Sequence, residues 1–372
     1  MSTRALVVDD SVLFRRVVSD ALAGLPGLEV VGTASNGKLA LDRLRSLTPD
    51  VMTLDIEMPE MNGLEVLEAM KASGSSTGVI VLSSQTLKGG AMTIRALELG
   101  AFDFLTKPQG SSPEDSLLQL RGQLQPILQA FERRREIREL LGLTSQPAPA
   151  AALAATPAAT PAAAPAAALG RPTKVIRTAP PLVLIGVSTG GPAALAQVLP
   201  ALPADLPAPV FIVQHMPRLF TEALARSLQA KCALRVKEAA DGEIAQRGVA
   251  YIAPGGRQMK LASGAAGQIL IQVTDDPPEN NCRPAVDYLF RSVALHFPGR
   301  AIAAILTGMG ADGAQGLRLL KRGGCTTIAQ DEATCVVYGM PREAVKTGTV
   351  DFVLPLPKIA AAILRAVAEA GA

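Results

Sequence analysis

Residues 182–195 read LVLIGVSTGGPAAL, and this stretch decides the class of fold. An aliphatic strand runs into a glycine-bearing turn, and Pro192 then stands near the first position of a helix, where its missing N–H costs nothing. Ser188 falls on the strand-to-helix turn, close to helical N–H groups able to stabilise an oxyanion. The pattern G-V-S-T-G also satisfies the G-x-S-x-G form of a nucleophile elbow. Alone, that pattern is weak, since glycine-rich turns at strand ends bind phosphate or simply turn the chain at least as often.

Downstream the βα alternation continues. Strands are expected at Val210–Gln214, Ala301–Leu306 and Thr326–Ala329, and helices at Phe220–Leu228, Val286–Leu295, Ala314–Arg322 and Ile359–Ala368. Between them Leu234–Glu238, Val249–Ala253 and Gln268–Val273 read as short strands of an antiparallel section. The chain has two histidines, which narrows the search for a base. His215 directly follows the strand ending VFIVQ, an edge equivalent to that of Ser188. His296 ends an amphipathic helix, where the dipole favours a histidine without any catalytic role.

An acid is then needed to orient the imidazole. The strand AIAAIL runs into TGMGADGA and puts Asp312 at a third strand end, although an aspartate there could equally cap the helix that follows. Ligands of open α/β sheets bind at such carboxyl edges. A rival order of Ser188, then Asp241, Asp275 or Asp276, then His296 follows the α/β-hydrolase sequence order. It places its acids in the irregular section and its base on a helix, so Ser188, His215 and Asp312 are preferred.

Upstream the composition changes abruptly. Residues 144–181 are nearly all Ala, Pro, Thr and Ser, which predicts a semi-rigid tether. Before it, Gln125 to Leu141 reads as a charged helical connector within residues 124–143, and residues 1–123 form another βα series. Its strands are expected at Ala5–Val8, Leu28–Ala34, Val51–Leu54, Val79–Ser83 and Phe102–Leu105, a doubly wound parallel sheet. The fold class is therefore α/β, with two doubly wound domains joined by an Ala/Pro linker, the second from residue 182 to 372.

Asp9 and Asp10 lie just past the first strand of this series and Asp55 just past the third. Three carboxylates on one crevice repel each other and call for a hard cation, with Mg²⁺ the natural choice. Ser83 and Lys107 add a hydroxyl and a cation to the same edge. A carboxylate nucleophile beside Mg²⁺ and a lysine can accept a phosphoryl group.

The motifs VVDDS, LDIEMPEMNG, SS and FLTKPQ resemble those of a response-regulator receiver. That resemblance implies Asp55 as phosphoacceptor, Asp9 and Asp10 as metal-site carboxylates, Ser83 as switch hydroxyl, Phe104 as switch aromatic and Lys107 as phosphate-binding lysine. In the second domain GVSTGGP, QHMP, YIAPGG, RPAVD and LTGMGADG resemble the catalytic domain of the CheB methylesterases. This second resemblance implies Ser188 as nucleophile, His215 as base, Asp312 as orienting acid and the backbone N–H of Met309 as an oxyanion donor. It implies as substrate a glutamate methyl ester on the cytoplasmic helices of a methyl-accepting chemoreceptor, with glutamine deamidation as a second activity. A chemotaxis-type histidine kinase is the implied phosphodonor, and no cofactor is implied for the esterase.

Composition excludes several classes. The chain has 372 residues, 48% of them hydrophobic, and a formal net charge of only +3. Aromatics total 3% and Trp is absent, so neither a basic stripe nor base-stacking surfaces point to nucleic acid. The four cysteines are scattered without a C-x-x-C pair, which argues against a metal or disulfide role. No leader pattern and no charge-free apolar run of spanning length is visible, so a cytoplasmic protein without membrane insertion is expected.

Overall fold

The computed structural model describes residues 2–84, 86–108, 112–140 and 181–371. The expected tether lies outside the described residues, apart from Pro181. The first domain runs β1 (Thr3–Val8), α1 (Val12–Ala23), β2 (Leu28–Ala34), α2 (Gly37–Leu47), β3 (Val51–Asp55), α3 (Gly63–Ser73), β4 (Gly78–Ser83), α4 (Leu87–Leu99), β5 (Asp103–Thr106) and α5 (Pro113–Leu140). Its five strands are all parallel in the order β2-β1-β3-β4-β5. The helices start on side-chain caps that their sequences supply: Ser11 for α1, Asn36 for α2, Thr86 for α4, and a capping box of Asn62 with Glu65 for α3.

Helix α5 does not stop at the expected boundary after residue 123 but continues unbroken through Pro126. Leu120, Leu124, Ile127 and Leu128 are buried in the first domain's core, and Phe131 meets Phe102 edge-on with ring centroids 5.4 Å apart. This apolar face belongs to the sheet it covers, so much of the charged connector is the receiver-like domain's own last helix.

The second domain runs β6 (Leu182–Val187), α6 (Gly191–Val198), β7 (Val210–Gln214), α7 (Phe220–Gln229), β8 (Arg235–Glu238), β9 (Val249–Ile252), β10 (Gln258–Ser263), β11 (Ile269–Thr274), α8 (Val286–His296), β12 (Ala301–Ile305), α9 (Ala314–Arg322), β13 (Thr326–Gln330), α10 (Met340–Lys346), β14 (Phe352–Leu354) and α11 (Leu356–Gly371). Seven strands form one parallel sheet in the order β14-β13-β12-β6-β7-β9-β8. The expectation of an antiparallel middle section needs correction. Strands β8 and β9 are parallel members of the main sheet, and only β10 and β11 pair antiparallel. The reason lies in burial: all four residues of β9 are buried, as befits a strand covered on both faces.

The chain leaves β6 towards β7 on one side, and β12 returns on the other, so the sheet's topological switch lies between β12 and β6. Crevices at such points receive ligands. Strands β6, β7 and β12 are buried throughout, which fixes the loops after them rigidly.

Candidate active site

Ser188, His215 and Asp312 follow β6, β7 and β12, and the structure brings their loops together. His215 Nε2 lies 2.7 Å from Asp312 Oδ2. The strand ends are also tied: the buried Gln214 donates from Nε2 to the carbonyls of Ser188, at 3.0 Å, and His215, at 3.1 Å. Ser188 N donates to the Thr307 carbonyl at 3.0 Å, and Thr307 Oγ1 donates to the Thr189 carbonyl at 3.0 Å. Two glycines make this closeness possible. A Cβ on Gly308 would lie 2.7 Å from the Ser188 Cβ, and one on Gly191 would lie 1.9 Å from Gln214 Oε1.

Asp312 does not cap α9, whose N-cap is Gly313. It caps α8 from outside that helix. Its Oδ2 accepts from Val286 N at 2.6 Å and its Oδ1 from Asp287 N at 3.0 Å, while Asn280 Nδ2 adds a contact at 2.9 Å. Burial alone would raise the Asp312 carboxyl, but His215 and these N–H groups hold it below the usual carboxylate range. Burial likewise opposes a charged imidazole, yet the contacts with Asp312 and Cys282 hold His215 up at about 9. No hydrogen bond joins Ser188 Oγ to His215 among the described residues; His215 Nδ1 instead faces Cys282 Sγ at 3.6 Å.

The sequence reading missed Cys282, Asn280, Asp287 and Gln214 as members of the site. Asp287 Oδ1 accepts from Gly316 N at 2.6 Å and so fastens α8 to α9 behind Asp312. Although the cysteines are scattered along the sequence, the fold brings one to the histidine: ligand atoms of His215, Cys282 and Asp312 lie within 4.8 Å of one another. The rival set is dispersed. Asp241 Oδ1 accepts from Val273 N, Asp275 pairs with Arg257, Asp276 accepts from the Tyr288 hydroxyl, and His296 is exposed at the end of α8.

The first domain gathers its acidic residues as the strand order requires. Lys107 Nζ lies 2.7 Å from both Asp9 Oδ2 and Asp55 Oδ2. Asp10 stands exposed beside them, and the three carboxylates offer oxygens within 4.8 Å of one another. Burial pushes the Asp55 carboxyl up to about 6 against the pull of Lys107, with Asp9 adding to the rise. Ser83 is buried and accepts from Thr93 Oγ1 at 2.7 Å. An all-oxygen set with excess negative charge suits a hard divalent cation.

Residues 5–118 match the response regulator receiver domain family and residues 183–363 the CheB methylesterase family. A protein of Desulfotalea psychrophila named protein-glutamate methylesterase/protein-glutamine glutaminase is 48% identical, over 98% of both chains. One of the same name from Halalkalibacterium halodurans is 44% identical, over 97% of both. The chain belongs to the CheB methylesterase family. Among solved structures, the Thermotoga maritima CheB methylesterase catalytic domain is 42% identical, covering 50% of this chain and 99% of that one, with a TM-score of 0.49.

In this CheB-family chain the receiver domain sits against the catalytic edge. Phe104 stacks on Phe220 with ring centroids 4.9 Å apart, and Glu98 on α4 pairs with Lys231 at 2.5 Å and accepts from Ser227. Gly90 lets α4 approach α7: a Cβ there would lie 3.3 Å from the Leu219 carbonyl. Thr189 Oγ1, next to the serine, donates to Asp103 Oδ2 at 2.6 Å. Burial pushes the Asp103 carboxyl up to about 6 against the pull of Thr189 and of Phe104 N. Met309, Val336 and Val337 join the receiver's hydrophobic cluster. The cavity holding Ser188 and His215 is thus walled on its other side by Leu97, Asp103, Phe104 and Thr106. None of the described helices is long and apolar enough to cross a membrane.

Proposed function

We infer that this chain is a receiver-regulated protein-glutamate methylesterase that also deamidates glutamine. The observation that carries the reading is that His215, which lines the cavity holding Ser188, is paired from behind with Asp312. Ser188 gives its proton to His215 as its oxygen attacks the ester carbonyl of a methylated glutamate. The tetrahedral oxyanion is met by N–H groups at the start of α6 and by the backbone N–H of Met309. His215 then protonates the departing methanol, or ammonia from a glutamine, and water releases the acyl group by the same steps. Because Asp312 holds Nε2, the nitrogen that serves Ser188 is Nδ1, and the side chains must shift from the resting contact with Cys282 to bring it there.

In the receiver, Asp55 takes the phosphoryl group and Lys107 holds its oxygens. Asp9, Asp10 and Asp55 would hold Mg²⁺, which when bound neutralises the transferring phosphoryl charge. The domains are the receiver, residues 1–123 with α5 completing it, and the catalytic domain from residue 182. Phe104 packs on the catalytic edge, and Ser83 lies buried behind it in the receiver, so a shift of Ser83 towards the phosphoryl group on Asp55 would move Phe104 and loosen the contact. The protein acts in the cytoplasm on the helices of methyl-accepting receptors, with a chemotaxis-type histidine kinase as phosphodonor. Mass spectrometry of methylated receptor peptides tests this reading. The wild-type chain should remove the methyl group and convert glutamine to glutamate; Ser188→Ala should do neither. Unchanged conversion by Ser188→Ala would refute it.

A further inference from the structure

Beside the triad lies a group that the hydrolysis does not use. Cys282 is carried on a turn fixed by reciprocal backbone bonds, Cys282 N to the Glu279 carbonyl at 2.8 Å and Glu279 N to the Cys282 carbonyl at 3.0 Å. Asn280 and Asn281 take positive φ of 52° and 60° in that turn, a conformation asparagine tolerates better than most residues. Gln258 Nε2 adds a bond to the Cys282 carbonyl at 3.4 Å. The thiol is therefore held over His215 by the backbone.

The spacing, at rest that of a thiol–imidazole hydrogen bond, also fits a metal chelate. A tetrahedral zinc ion holding an imidazole nitrogen at about 2.0 Å and a thiolate at about 2.3 Å sets the two roughly 3.5 Å apart. Cys282 Sγ and His215 Nδ1 are 3.6 Å apart. Asp312, at 2.7 Å from Nε2, keeps a proton on that nitrogen and turns Nδ1 towards the sulfur, so that loss of the Nδ1 proton leaves a lone pair aimed at the metal position. A carboxylate behind a metal-binding histidine is the usual outer support of zinc sites. His215 and Cys282 are both partly exposed, and His215 lines the cavity that holds Ser188, which leaves further positions on the ion for water.

We propose that the catalytic pocket doubles as a site for a thiophilic divalent cation such as Zn²⁺, bound by His215 Nδ1 and Cys282 Sγ with Asp312 supporting the ring. Binding displaces two protons, the thiol proton of Cys282 and the Nδ1 proton of the charged imidazole, and both pass to solvent with no change of oxidation state. Because Nδ1 is the nitrogen that must serve Ser188, an ion there blocks the base and inhibits hydrolysis reversibly. The inhibition rests on His215 acting as base; the binding itself does not.

Two readouts on the full chain keep these apart, both with excess Mg²⁺ present to fill the receiver's oxygen site. Co²⁺ should give a thiolate-to-metal charge-transfer band, which oxygen ligands cannot produce. Cys282→Ser should abolish the band, whereas Cys232→Ser should keep it. Zn²⁺ should inhibit methyl-ester hydrolysis, a chelator should restore it, and Cys282→Ser should raise the half-inhibitory concentration at least about tenfold, each protein compared with its own metal-free rate. No sulfur band in the native chain, phosphorylated or not, would overturn the site, as would a band that survives Cys282→Ser. A band that depends on Cys282 without any inhibition would overturn the blocking of the base alone.

Discussion

The two domains place their chemistry at the same kind of edge, the carboxyl ends of parallel strands, and then treat buried carboxylate charge in opposite ways. In the receiver, Asp9, Asp10 and Asp55 stand together against a single Lys107, and burial leaves Asp55 with a carboxyl raised to about 6. Charge there is left over, which suits a site that must take up a cation and then a phosphoryl group. In the catalytic domain one carboxylate, Asp312, is met by two N–H groups of α8, by Asn280 and by His215, and is held ionised. Charge there is already satisfied, which suits a group that must orient an imidazole without being protonated itself. On the proposed reading, one kind of fold edge serves two chemistries according to whether its negative charge is balanced from within.

The largest expected effect breaks the catalytic half of this comparison. Ser188→Ala and His215→Ala should each lower ester hydrolysis by roughly a thousandfold or more, and Asp312→Asn should be comparably severe. Phosphate uptake at Asp55 should survive all three. His296→Gln, remote at the end of α8, should stay within about twofold, as exposed substitutions usually do. Steady-state rates on a methylated peptide check the set, and an active His215→Ala beside an inactive His296→Gln would reverse the assignment.

The receiver half breaks separately. Asp55→Asn should abolish labelling from a small phosphodonor and remove the response of hydrolysis to that donor, while basal hydrolysis remains. Persistent labelling would place the acceptor elsewhere.

A pH series sharpens the contrast. His215 must be neutral to accept the Ser188 proton, and its contacts favour the charged form up to about 9. Hydrolysis should therefore climb as pH rises towards about 9, and Asp312→Asn should shift that limb to lower pH as well as lowering its height. A flat profile from neutral pH upwards would show that the charged imidazole is not the resting form.

The smallest effect concerns the contact between the domains. Burial holds the Asp103 carboxyl up at about 6 where Thr189 meets it, so an opening that returned Asp103 to water should release a proton. The stability of the closed arrangement is then greatest where Asp103 is protonated and falls as pH rises through about 6. Asp103→Asn keeps an oxygen for Thr189 and removes the charge. At neutral pH it should tighten closure and lower basal hydrolysis by up to about tenfold, whereas Glu98→Ala, which removes an interdomain ion pair, should raise it by about two- to threefold. A rise with Asp103→Asn would mean that its charge supports the contact.

Much of this was legible in the sequence for a physical reason. Buried parallel strands are uninterrupted apolar runs, and a polar residue directly after such a run stands at the sheet's carboxyl edge, where Asp9, His215 and Ser188 lie. Strand β10 was missed because QMKLAS carries no such run, and β9 was misread as antiparallel although its four apolar residues already spoke for a strand covered on both faces. The role of Asp312 as a cap was visible, but the helix it caps begins 26 residues earlier and is met only through the fold. Cys282 was invisible for the same reason, lying 67 residues from the histidine it faces. Helix α5 overran its expected start as a connector because its apolar face, from Leu120 to Phe131, is diluted by charged neighbours.

If one catalytic serine works beneath a receiver that covers it, labelling of the full chain with a serine-directed phosphonate tests both halves at once. Peptide mapping should place the label on Ser188, and phosphorylation of Asp55 should speed its attachment by several-fold or more. Label on another residue, or on Ser188 at a rate indifferent to phosphorylation, would contradict it.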